Sequence, residues 1–300
     1  MSHSQTFGAG DALGTGDSYL SLDVVPPELA DVAFDRMRDE VKWDVMHHRG
    51  GEVPRLVAVQ GEVGADGSFP IYRHPSDESP PLNAFSPTVD SIRQHVQKLL
   101  NHPVNHVLIQ FYRTGEDYIS DHSDKTIDVV RGSNIVNVSL GAQRTMTLRL
   151  KKPRTQGRSS DSLPPDGPPG PPRAAQRIPL PHNSMFVMGP ETNSKWLHGI
   201  SRDKRFITLK SPAERFQEGE RISLTFRHIG TFLDAEQTLI WGQGAIGKTK
   251  DAARPVVHGV KESEALICAF GTENAMSDFN WDEHYGMGFD VVNFTTKEDE

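Results

Sequence analysis

The sequence predicts a mainly β fold with flanking helices (α+β), and three observations lead there. From residue 104 onward, short segments rich in β-branched and aromatic residues follow one another, punctuated by Gly, Pro, Asn and Asp. Two stretches with helical apolar spacing precede them. The composition, 36% hydrophobic and 24% charged in 300 residues, is that of a globular chain, and 21 prolines with 26 glycines point to long loops.

Residues 1–25 (MSHSQTFGAGDALGTGDSYLS onward) have neither a basic start nor an apolar stretch, so they read as a flexible tail rather than a secretory signal. Residues 26–103 form a helical, lid-like region. Within it, 26–50 carries apolar residues at helical spacing: Leu29, Val32, Phe34, Met37, Val41 and Val45. A turn-rich stretch follows at 61–88. SPTVDSIRQHVQKLL then reads as a helix, with Ser86 as its cap, Pro87 in its first turn, and Val89, Ile92, Val96, Leu99 and Leu100 on one face.

Residues 104–229 carry the strands VNHVLIQFY, SNIVNVSLG, RTMTLRL, NSMFVMG, RFITLKS and ERISLTF, a spacing that suits an antiparallel sandwich or barrel. An insertion at 151–177 interrupts them. It holds seven prolines and six basic against two acidic residues, the composition of an extended surface loop. Residues 230–300 are a separate C-terminal extension with Trp241, Trp281 and Tyr285, to which the sequence assigns no role.

Several classes are disfavoured. No apolar run approaches the roughly 20 residues of a membrane helix. The single cysteine, Cys268, excludes internal disulfides and cysteine-rich zinc sites, and fits an intracellular compartment, cytoplasm or nucleus. A net charge of −8 argues mildly against a protein built mainly to grip phosphates.

HSD at 122–124 places His122 and Asp124 two apart, on one face of an extended segment. With a distant histidine, such a pair makes the facial triad that leaves positions open on Fe(II). His198, in KWLHGIS, is the natural third ligand. Alone the triplet means little, because chance supplies an H-x-D in a chain with this many histidines and aspartates. In RISLTFR, Arg221 and Arg227 share a strand face, and two guanidiniums there suit a dicarboxylate. Two solvated arginines on an edge strand would look the same.

Taken in order, VLIQFYRTGEDYISDHSD, IVNVSLGAQRTMTLR, LPHNSMFVMGPETNSKWLHGI and RISLTFR resemble the AlkB family of iron(II)/2-oxoglutarate-dependent dioxygenases, over about residues 54–229. The resemblance implies a double-stranded β-helix (jelly-roll) core that takes Fe(II), 2-oxoglutarate and O2. It implies iron ligation by His122, Asp124 and His198. It implies 2-oxoglutarate binding by Arg221, Arg227 and Tyr112. Gln110 and Ser223 stand where the family often has Asn, and both still form hydrogen bonds. The implied reaction hydroxylates a C–H bond and releases succinate and CO2.

The substrate side is divided. Members that repair nucleic acid carry an acidic residue just past the metal aspartate; here Lys125-Thr126-Ile127 follows, which leaves Thr126 to meet the substrate. Tyr72 lies where the family places a base-stacking aromatic, with Phe69, Arg73 and His74 nearby, and packing in a lid is the plainer role for it. Met46, before HHRGG, is the only apolar wedge available, and His47 and His48 read as solvated turn residues. Tyr72 and the basic insertion favour demethylation of N-alkylated bases in DNA or RNA. The acidic charge and Thr126 favour a small metabolite. A binding protein without turnover is the weakest reading, since the cofactor residues are intact. GQGAIGKT at 242–249 fits the phosphate-loop pattern, but the preceding LDAEQTLIW reads as helix rather than strand, so it is a decoy.

Overall fold

The computed structural model describes residues 5–48, 51–75, 80–152 and 173–292. Its core is two facing sheets. The larger runs in the order β1 (Tyr19–Leu22), β12 (Ser184–Met188), β9 (Ile135–Gly141), β14 (Arg221–Arg227), β7 (His106–Tyr112), β4 (Leu56–Gly61) and β6 (Leu82–Ala84). Its pairs are antiparallel except β4 with β6. The smaller sheet is β11 (Ala175–Leu180), β10 (Arg144–Leu150), β13 (Trp196–Ile200) and β8 (Ile119–His122), all antiparallel. Together they make the double-stranded β-helix.

Period-two alternation divides the larger sheet into two faces. Ile222, Leu224 and Phe226 of β14, Val107, Ile109 and Phe111 of β7, and Val136, Val138 and Leu140 of β9 pack under helices α1 (Pro27–Glu40) and α2 (Pro87–Leu100). The intervening residues, among them Arg221, Ser223, Arg227, Gln110 and Tyr112, are therefore turned to the inside of the sandwich. Apolar residues of both sheets close its other end: Ile135, Phe186 and Met188 against Met146, Leu148, Ile178, Trp196 and Ile200.

Several elements depart from the sequence reading. Residues 5–25 are not a loose tail: β1 pairs with Ser184–Val187 of β12, and Leu13 is fully buried. That pairing covers an edge strand whose backbone groups would otherwise be open. α1 stops at Glu40 instead of continuing to residue 50, and β2 (His47–His48) forms a hairpin with β3 (Gly51–Glu52). The N-terminus of α2 is satisfied by Glu40 rather than Ser86. The Glu40 carboxylate accepts from the Thr88 N–H at 3.0 Å and from the Ser86 hydroxyl at 2.9 Å.

RFITLKS is not a strand. It makes a single 3-10 turn at Ile207–Leu209 that pairs with no described strand, and leaves Phe206 79% exposed. Conversely, LDAEQTLIW is not helical. β15 (Thr231–Leu233) and β16 (Leu239–Gly242) form a hairpin whose turn is held by Asp234. This hairpin joins β17 (Arg254–Pro255) on one side and β5 (Phe69–Pro70) of the lid region on the other. In the decoy loop the Lys248 ammonium donates to the carbonyls of Gln243 and Ala245, leaving no phosphate cradle. Of the insertion read at 151–177, residues 153–172 lie outside the described residues; Lys151 is buried and Ala175 already begins β11.

The extension continues into α5 (Val260–Ala275) and α6 (Trp281–Tyr285). Leu266, Ala269, Phe270, Tyr285 and Val291 pack with Ile127, just beyond the HSD motif. Among the described residues, no helix is long and apolar enough to cross a membrane.

Candidate active site

Antiparallel pairing sets His122 on β8 directly across from His198 on β13, with ring centroids 4.3 Å apart. The chain leaves β8 and turns Asp124 toward them, so that each of the three offers a ligand atom within 4.8 Å of the others. The His122 Nδ1 lies 2.8 Å from the Ser120 carbonyl, which fixes the tautomer and leaves Nε2 as the free donor atom. Asp124 is held on every side but one. Its N–H donates to the Asn193 side-chain oxygen, and the Asn193 amide donates back to the Asp124 carbonyl, both at 3.0 Å. Asn193 sits on the short helix α3 (Pro190–Lys195) just before β13. Oδ1 accepts from the Tyr72 hydroxyl at 3.2 Å and from Arg227 at 2.9 Å, while Oδ2 is buried without a partner.

The electrostatics suit a cation. Burial pushes the His198 pKa down to about 3, and His122 shifts down for the same reason. Burial alone would raise Asp124, but Arg227 and the two imidazoles outweigh it and hold the carboxyl well below its usual range. Neutral imidazoles and an ionised carboxylate are the forms that bind metal. Two imidazole nitrogens and the unsatisfied Oδ2 of Asp124 fit Fe(II) with open positions.

Beside this cluster the inner face of β7, β9 and β14 makes a polar floor. Arg221 is fully buried, donating to Ser139 at 2.7 Å and Asn137 at 3.1 Å, with Nη1 unpaired. Among the described residues no carboxylate pairs with it, and burial lowers its pKa. Arg227 has Nε and Nη1 unpaired. The Tyr112 hydroxyl donates to Gln110 at 2.9 Å, and Ser223 accepts from Asn137 at 2.7 Å. Buried guanidinium donors without partners, on a floor of hydroxyls and amides, fit a dicarboxylate.

The three-residue cluster and the part of this floor made by Gln110, Tyr112, Asn137, Ser223 and Arg227 line one cavity of about 600 Å³, with Arg221 outside its lining. Of the substrate-side candidates, Tyr72 lines it but is engaged. Its hydroxyl bridges Asp124 and the Lys125 N–H, and the Arg227 guanidinium lies 3.9 Å from its ring centroid. Met46 is 2% exposed among Val53 and Val57, so it is wall rather than projecting wedge. Thr126 does not line the cavity, because its N–H and hydroxyl both donate to Glu273 of α5.

Sequence reasoning missed Asn137, Asn193, Lys125 and the α5 residues Ile267, Phe270, Gly271 and Asn274, which close the cavity. Asn137 could have been found by reading SNIVNVSLG with period two, since Ser139 shares its face. The α5 residues carry no motif that points to the metal loop.

Comparison with known proteins adds the following. A family model described as the 2OG-Fe(II) oxygenase superfamily matches residues 18–227. The DNA oxidative demethylase ALKBH2 of Homo sapiens is 29% identical over 207 residues, covering 67% of this chain and 69% of that protein. The alpha-ketoglutarate-dependent dioxygenase alkB homolog 3 of Homo sapiens is 24% identical over 225 residues, 72% of this chain and 68% of that one. The solved structure of OsALKBH1, 17% identical, covers 71% of this chain and 98% of its own with a TM-score of 0.42.

Proposed function

The chain belongs to the 2OG-Fe(II) oxygenase superfamily, as an AlkB-like member, and we propose that its reaction is oxidative demethylation of N-alkylated nucleobases in DNA or RNA. One observation carries this reading. The cluster of His122, Asp124 and His198 shares a single cavity of ample volume with Arg227, whose Nε and Nη1 have no partner. Similarity to two AlkB-type proteins, one of them named a DNA oxidative demethylase, supports the base as substrate. An intracellular site of action, cytoplasm or nucleus, goes with that substrate.

His122, Asp124 and His198 would hold the iron. Arg221, Arg227, Tyr112, Gln110 and Ser223 would hold 2-oxoglutarate. Iron, 2-oxoglutarate and O2 together supply C–H hydroxylation with release of succinate and CO2, and a hydroxylated N-methyl group leaves as formaldehyde. The chain's own task is placement and polarity. Asn193 fixes the Asp124 backbone, and Tyr72 and Arg227 fix its carboxylate, before any metal arrives, so little reorganisation is needed on binding. With the co-substrate present, Arg227 has two free N–H directions besides the one on Asp124. Leu108, Met146, Ile200 and Phe270 line the rest of the cavity and exclude water from it.

The test is succinate formation with Fe(II), 2-oxoglutarate and O2, together with formaldehyde release from methylated oligonucleotides. Both should appear with wild type and vanish with His122→Ala. Succinate without formaldehyde from any methylated oligonucleotide would remove the nucleobase and leave a small metabolite as substrate.

A further inference from the structure

We infer that the end of α5 reads the substrate, and that it selects neutral N-methylated bases, with a carbonyl at pyrimidine C4 or purine C6, over cationic ones with an amino group at that position. This rests on the nucleobase reading above and names the class of base.

The helix lies beyond residue 227, where the family match ends, yet it is bolted to the metal-ligand loop. The Glu273 carboxylate accepts from the Thr126 N–H and hydroxyl and, at 2.8 Å, from the Tyr285 hydroxyl. The Glu273 carbonyl accepts from Lys151 at 2.7 Å, and the Trp281 indole donates to the Thr126 carbonyl at 3.2 Å. Asn274 completes the attachment: its side-chain oxygen accepts from the Ser123 N–H at 2.9 Å. Phe270, Gly271 and Asn274 therefore sit at a fixed position over the ligand loop, facing the cavity.

The polarity of this wall follows from the same contacts. A backbone N–H can only donate, so Ser123 fixes the Asn274 amide with its oxygen inward and its NH2 group available. No described residue accepts from that NH2. Lys125 lines the same wall, 5% exposed, with Nζ 3.5 Å from the Asn274 oxygen. Arg55, also lining the cavity, has a buried Nε without a partner. The Glu273 carboxylate is consumed internally and does not line the cavity. The carboxylates that do are Asp124, a metal ligand, and Glu52, exposed at the rim on β3. The spare polar atoms of Asn274, Lys125 and Arg55 on this wall are thus hydrogen-bond donors, two of these side chains being cationic.

Donors recognise carbonyl oxygens. N3-methylthymine and N1-methylguanine are neutral and carry a carbonyl at C4 and C6 respectively. N1-methyladenine and N3-methylcytosine carry an amino group at C6 and C4 respectively and are cationic once methylated. The second pair would set donor against donor and cation against Lys125, and a site built around hydrogen bonds rejects such mismatches strongly.

Four otherwise identical DNA oligonucleotides, each with one of these bases, decide the matter. Formaldehyde release gives kcat/KM, and fluorescence anisotropy gives the affinity of each oligonucleotide for the protein. We expect the carbonyl-bearing pair to be favoured about tenfold or more. Asn274→Asp, which keeps the acceptor for Ser123 but replaces the free donor, should shift both ratios toward the amino-bearing pair. Lys125→Gln, an independent check if the first variant does not fold, should relax discrimination against the cationic bases. A wild-type preference for the amino-bearing pair, or ratios unmoved by the substitutions, overturns the inference while leaving nucleobase demethylation standing. Formaldehyde from none of the four, with His122-dependent succinate intact, overturns both.

Discussion

Arg73 offers the sharpest test of how the extension is fastened to the core. It is 2% exposed, and its guanidinium grips Asp128 through Nη2–Oδ1 at 2.6 Å and Nε–Oδ2 at 3.1 Å. Nη1 donates to the carbonyls of Phe289 and Val291, and Nη2 to that of Gly244. Arg73→Met keeps most of the stem but leaves the Asp128 charge buried and unpaired, with three carbonyls losing their donor. Removing one partner of a buried pair costs about 3–5 kcal/mol. At roughly 2–4 °C per kcal/mol for a chain of this size class, the melting temperature should fall by about 6–20 °C. Circular dichroism melts and urea titration measure this. Removing the stranded charge as well, in Arg73→Met/Asp128→Leu, should recover part of the loss, and amide exchange in residues 286–292 should accelerate in the single variant. A loss below about 1 kcal/mol, or a double variant no better than the single one, would refute the claim that this pair ties the three segments together.

Other expectations follow from the same geometry. Gly244→Ala puts a Cβ 2.5 Å from the Asp128 Oδ1 and 2.6 Å from the Arg73 Nη2, so it should reproduce much of the Arg73→Met loss in a thermal melt. Asn193→Ala removes the bracket on Asp124 and should weaken Mn(II) or Co(II) affinity by about 10–100-fold in a direct titration. A Cβ on Gly271 meets nothing within 4 Å, so Gly271→Leu should fill the cavity and suppress oligonucleotide demethylation without lowering the melting temperature, since a helical glycine costs about 1 kcal/mol relative to alanine. Lys151 is buried, and its pKa is pushed down to about 8. As pH rises from about 8 to 10.5 the unfolded chain holds this proton and the folded one does not, so stability gains with pH across that window. The wild type should therefore improve relative to Lys151→Met, by on the order of 3 kcal/mol between pH 7 and 10.5, in matched urea titrations.

The legible parts of the fold were those where local and tertiary demands agree. β7, β9, β10, β12 and β14 are buried on both faces or alternate cleanly, so their β-branched runs declare them. α2 has Pro at its start and a regular apolar face. Arg221 and Arg227 lie on one such strand, β14, whereas His122, Asp124 and His198 could be named only because their motifs follow one another in the order of a known family. β1 was illegible because an edge strand beside β12 needs only Leu20 buried to hold its place. RFITLKS has the composition of a strand but no neighbour to pair with, and LDAEQTLIW has the composition of a helix but folds back on Asp234. The role of Asn274 depends on a contact with Ser123 that bridges 151 positions of chain, which no local pattern encodes.

The division of the cavity between core and extension also imposes an order on biosynthesis. His122, Asp124, His198 and both floor arginines precede residue 230, whereas the wall over them begins at Val260. At translation rates of roughly 5–20 residues per second, the metal centre leaves the ribosome seconds before its cover. A nascent or prematurely terminated chain would hold His122, Asp124 and His198 open to solvent, and the proposed selectivity would come only once α5 docks.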